Sequence, residues 1–169
     1  MKREVYDITV EPQGRVYETL MTTALRHCDR FLFVDIPEPR FGENDTSFQA
    51  RSLELVRELQ PHLVGVVKSK AWPGTTMGEQ PGLDVFARIY HYRLNADTVA
   101  VLTRAADHLY AWQWPELPTD LCLLRADGEA WLVTIASDEE SYLLITKGEA
   151  EELGRLMPEL ELERQYPQH

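Results

Sequence analysis

The sequence predicts an α+β fold: a mainly antiparallel sheet with a C-terminal three-stranded meander and about four helices. Three observations carry this reading. In the first two thirds, apolar residues switch between alternating and three- or four-residue spacing, so strands and helices interleave. Three strand-like runs then follow one another, LCLLRA, AWLVTIA and SYLLIT. Finally, Thr46-Ser47-Phe48-Gln49 and Thr146-Lys147-Gly148-Glu149 have the form of capping boxes. In each, a hydroxyl caps a helix start and a side chain three residues on reaches back. The 169 residues form one domain, 1–169. A chain of this length buries roughly 70 % of its unfolded surface and needs no staples.

Each element has a local cause. Residues 4–10 (EVYDITV) read as a first strand. A helix over 15–27 follows, because Val16, Tyr17, Leu20, Met21, Ala24 and Leu25 fall on one face. RFLFVDI is a short apolar strand stopped by Pro37 and Pro39, and PEPRFGEND is a loop. The first capping box opens a second helix with Phe48, Leu55, Val56 and Leu59 inward, limited by Pro61. LVGVVKS, 63–69, is the next strand. Residues 71–83 hold three glycines and two prolines and read as a long irregular connection, functional or mobile.

Residues 84–94 read as a long strand, with Phe86, Tyr90 and Tyr92 on one face and Val85, Ala87 and Ile89 on the other. Asn95 caps a third helix with the stripe Val99, Leu102, Ala106 and Leu109. In the meander, Asp127-Gly128 is a dipeptide favoured in tight hairpins, and Ser137–Glu140 makes the second turn. The last helix points Ala150, Leu153 and Leu156 inward and stops at Pro158. The tail LELERQYPQH reads as a short edge strand or a frayed end.

Charge narrows the partners. The net charge is −11, and residues 107–169 hold four bases against fourteen acids. Such a field repels nucleic acid and anionic lipid and attracts basic proteins. Only two cysteines occur, Cys28 and Cys122, which suits reduced thiols in a cytoplasmic protein. The start has no apolar run of signal-peptide length, and no stretch of 18 apolar residues exists to span a membrane.

Motifs for chemistry are sparse. Cys28 is in step with Tyr17, Met21 and Leu25, and Cys122 alternates with Leu124, so both read as buried structural thiols despite the neighbouring His27. His27, His62, His91, His108 and His169 show no paired ligand spacing, and Asp35, Glu38, Glu43 and Asp45 do not follow a calcium-loop pattern; no metal is expected. The acids at 138–140 lie in a turn, and Glu149, Glu151 and Glu152 suit a helix start. Gly74, Gly78 and Gly82 step by four with no Lys-Ser or Lys-Thr pair after them, so no phosphate cradle and no cofactor is expected. No catalytic residue is nominated.

Aromatics remain. In the stretch AWQWPELPTDLC, an extended chain would project Trp112 and Trp114 from one side, either closing a core or presenting a docking surface. With Glu116, Asp120 and Trp72 these form the candidate binding set, in a non-enzymatic domain that grips a basic protein. The alternative is a small enzyme or ligand-binding domain with a pocket between the 71–83 loop and the Tyr90–Tyr92 strand. A third possibility is a homodimer through the meander edge or the tail.

The segments KSKAWPGTT and LYAWQWPELPTDLCLLRADGEAWLVTIASDEE, followed by a Tyr-containing strand, resemble a set of uncharacterised bacterial proteins. Some of them carry the label stage III sporulation protein AH. That label implies a membrane-anchored ring builder, whereas this sequence has no membrane segment, and the resemblance carries over no catalytic residue. In acidity and size alone the chain is also similar to toxin-neutralising immunity proteins.

Overall fold

The computed structural model describes residues 2–36, 50–78 and 84–166. The first capping box, Phe48 and the stops at Pro37 and Pro39 lie outside the described residues. Within them an eight-stranded sheet forms the frame. Its strands are β1 (Glu4–Ile8), β2 (Arg30–Asp35), β3 (Leu63–Ser69), β6 (Ala87–Arg93), β7 (Thr119–Leu124), β8 (Ala130–Ile135), β9 (Glu140–Ile145) and β10 (Leu162–Arg164). Their spatial order is β10-β1-β9-β8-β7-β2-β6-β3, and every pairing is antiparallel. A separate two-stranded hairpin joins β4 (Ala71–Trp72) to β5 (Thr75–Thr76). The fold is therefore α+β with a mostly antiparallel sheet.

Helices α1 (Arg15–Thr23), α2 (Ala50–Leu59), α3 (Ala96–Ala105) and α4 (Lys147–Leu156) all bury apolar residues against one sheet face. Tyr17, Leu20 and Met21 of α1, Leu59 of α2, Leu102 of α3 and Leu153 of α4 are fully buried there. They meet an aromatic layer in which Phe31 stacks on Tyr92 with ring centres 5.1 Å apart. β2 is buried on both sides, which explains its near-continuous apolar run: Phe31 and Phe33 face the helices, Leu32 and Val34 the other face. No described helix is long and apolar enough to cross a membrane.

The local signals for helix starts hold. The Asn95 side chain accepts from Thr98 N at 2.9 Å, and Thr146 with Glu149 completes the second capping box. Two helix-face expectations need correction. α1 ends at Thr23 and tightens into a 3-10 turn over Ala24–Arg26. Tightening changes the rotation per residue, and Leu25 turns outward to 36 % exposure. Leu156 is the last residue of α4 and is 43 % exposed, while Met157 beside it takes the buried position.

The connection at 71–83 is also corrected over its described part. It is not irregular: Trp72 pairs with Thr75 across Pro73-Gly74. Gly74 has φ 83, the sign that a Pro-Gly turn needs at its second position. The hairpin folds over the helix-free face of the sheet and caps a second, smaller core of Leu32, Val34, Ile89, Cys122, Leu124 and Val133.

Candidate functional site

The sequence-nominated residues separate. The segment after α3 is not extended. A 3-10 turn, Leu109–Ala111, is followed by a turn with a cis Trp114–Pro115 bond. The two rings consequently do not share an outer face. Trp112 is fully buried and stacks on Phe33 at 6.1 Å. Its Nε1–H donates to the Tyr17 hydroxyl at 3.0 Å, which donates to the Leu102 carbonyl at 2.7 Å. As a docking residue Trp112 is withdrawn: an indole placed this deep closes the core. Trp114 is half-buried and Glu116 is exposed.

Trp72 and Asp120 come together, on the other face of the sheet. Trp72 Nε1–H donates to Asp120 Oδ2 at 3.0 Å, and Ala136 N–H donates to Asp120 Oδ1 at 2.9 Å. Both side chains are buried, at 7 % and 4 % exposure, so neither presents an open surface to a protein partner, although Trp72 borders a cleft. Asp120 sits where β7 shifts register against β2, with φ 58. An extra residue at such a bulge re-aims a side chain. Here it aims a carboxylate at the hairpin. Burial pushes the Asp120 carboxyl above its usual range, against the two hydrogen bonds, and Asp138 adds to the rise.

Beside this clasp lies a cleft of about 260 Å³ between the hairpin and the β6–β3 end of the sheet. Buried Leu32, Ile89 and Leu124 form its floor, Trp72 and Pro73 one wall, and Val67 and Ser69 the other. His91 is half-buried at the lining, and burial together with the charge of Arg30 holds its imidazole below the usual range. The strand expected to back a pocket does so, though with its other side: Tyr90 and Tyr92 point into the helix-side core, while Ile89 and His91 face the cleft.

A second polar constellation lies at the N-terminus of α4. Arg125 donates to both oxygens of Glu149, at 2.9 and 3.1 Å. His27 Nδ1 approaches Glu149 Oε2 at 2.9 Å, and its ring stacks on Trp131 at 5.6 Å. Burial would raise the Glu149 carboxyl, yet the bonds from Arg125 and the Thr146 N–H outweigh it and leave it below the usual range. The neighbouring Cys28 thiol is pushed up to about 12 by burial. Such a thiol is protonated at neutral pH and is a poor nucleophile. The constellation ties the turn after α1 and the residue following β7 to the start of α4. No cluster of metal-binding side chains occurs among the described residues.

Sequence reading missed Leu32, Val67, Ser69 and His91 as members of one site. The signal was His91 following Ala87 and Ile89 on one strand face. No protein-family model, curated protein or solved structure matches the chain.

Proposed function

We propose that the protein is a small-ligand-binding domain whose ligand lies in the cleft between the β4–β5 hairpin and β6. The observation that carries this reading is an apolar floor of Leu32, Ile89 and Leu124 walled by Trp72 and lined at intervals by polar Ser69 and His91. Concave apolar surface with few polar groups is what a small-molecule site requires. Binding would displace water from the floor, and the Asp120 clasp would keep the Trp72 wall from collapsing inward. The free buried thiols suit the cytoplasmic setting we assign to this domain.

Titration with octan-1-ol tests the reading, following the indole N–H signals of the four tryptophans by NMR. The Trp72 signal is expected to move while those of Trp112 and Trp131 stay. Val67→Trp, which fills the cleft, is expected to abolish the shift. An unmoved Trp72 signal at saturating alcohol refutes the proposal.

A second reading keeps the acidic surface for a basic protein. Tyr110 is half-buried, and the charges of Glu11, Glu139 and Glu140 act on its phenol, so an aromatic ring has an acidic rim. Trp114 and Glu116 remain outside the core on this reading. A basic peptide that binds at low salt, releases at high salt and fails against Glu139→Gln/Glu140→Gln supports it. Equal binding to that variant rejects it.

A further inference from the structure

Two arginines face each other across the strands beside the cleft. Arg30 of β2 is the direct partner of Arg93 in β6, and on its other side Arg30 pairs with Leu124, which lines the cleft. Arg93 lies two residues from His91 on the same face of β6. Like charges directly opposite in an antiparallel pair repel. Proteins relieve this with a carboxylate between the two, yet neither guanidinium has an ion pair or side-chain hydrogen bond among the described residues. Both are exposed. The surroundings make this more unusual, because the chain carries a net charge of −11 and has acids in excess to spend on pairing.

We propose that the cleft takes a small molecule with an apolar body and one anionic group, the body lying against Leu32, Ile89 and Trp72 and the anion held by Arg30 and Arg93. This rests on the ligand-binding reading above. The chemistry is complementary at both ends. The floor offers no donor for a polar body, while two forked guanidiniums suit a carboxylate or sulfonate, which each can grip with paired N–H groups. His91 lies between floor and arginines, and its ring supplies a further polar edge to the anion. An anion here also relieves the repulsion between the two strands, so binding and sheet stability are linked at this end.

The test compares octanoate with octan-1-ol, which share an apolar chain and differ in charge. Dissociation constants come from the Trp72 indole shift at pH 7 and low salt. Octanoate is expected to bind tighter than the alcohol by on the order of tenfold. Arg30→Gln/Arg93→Gln should bring the two constants together by weakening octanoate alone, and raising salt should narrow the ratio in the unaltered protein. Equal affinities for acid and alcohol, or a ratio that survives in the double variant and in high salt, overturn the anion assignment and leave the cleft standing as an apolar site. No Trp72 shift with either molecule overturns the ligand-binding reading and the anion assignment with it.

Discussion

The Trp72 indole and the Asp120 carboxylate, 48 residues apart in sequence, are joined by a buried hydrogen bond of 3.0 Å. One side chain belongs to a two-residue strand and the other to a bulge in the main sheet. The bond adds a directed attachment to the apolar packing of Trp72 on the second core, and Asp120 is fixed in orientation because it also takes the backbone N–H of Ala136.

Asp120→Ala should cost about 2–4 kcal/mol, since two buried N–H donors lose their acceptor and Ala must adopt a positive φ. Asp120→Asn keeps one acceptor and tolerates that backbone, so it should cost about half as much. Urea unfolding of the two variants checks the order. A smaller loss in Ala than in Asn would show that the carboxylate is not what holds the hairpin.

Gly74→Ala should destabilise by about 1–3 kcal/mol. The backbone there has φ +83, and an added Cβ would sit 2.7 Å from Val133 Cγ1. The hairpin must lift to accommodate it. Thermal unfolding measures the cost, and the Trp72 indole signal reports the lift.

The paired tryptophans should behave oppositely. Trp112→Ala removes a fully buried ring and should cost about 3–5 kcal/mol. Trp114→Ala removes a half-buried ring and should cost about 1 kcal/mol or less. Chemical denaturation of both separates them, and equal losses would contradict the burial difference.

Glu149 makes stability depend on pH. Its folded carboxyl lies below the usual range, so its contribution is present above the unfolded value of about 4.3 and is lost as pH falls through the lower folded value. At pH 7 Glu149→Gln should cost about 2 kcal/mol, because Arg125 is left partly buried beside a neutral amide. The gap between unaltered protein and variant should close on acidification to pH 3. A gap that stays constant from pH 7 to pH 3 would exclude an ionised Glu149 as the source.

Much of the frame was legible because its causes are local. Asp127-Gly128 makes its hairpin, with Gly128 at φ 89, and Asn95 and Thr146 cap the helices that their spacing announces. The Trp72 hairpin was not legible. Two-residue strands are too short to alternate, and Pro73-Gly74 reads equally as a bend in a loop. Nor could the order Trp-Gln-Trp reveal that a 3-10 turn would bury one ring and leave the other half outside. The cleft failed for a different reason. Leu32, Val67, Ile89 and Leu124 come from four strands, and only the order β7-β2-β6-β3 makes them neighbours. Arg30 and Arg93 are unremarkable as isolated exposed bases, and their opposition exists only in the register.

The sheet order also sets a timetable. Tyr6 of β1 lies opposite Leu143 on one side and Arg164 on the other. On a chain leaving the ribosome, β1 therefore stays without either neighbour until β9 and β10 have also been made. Contacts of such large sequence separation slow folding relative to helical domains. β1 is thus among the last strands of this sheet to be secured, and until then Val5 and Ile8 are open to any other unpaired strand.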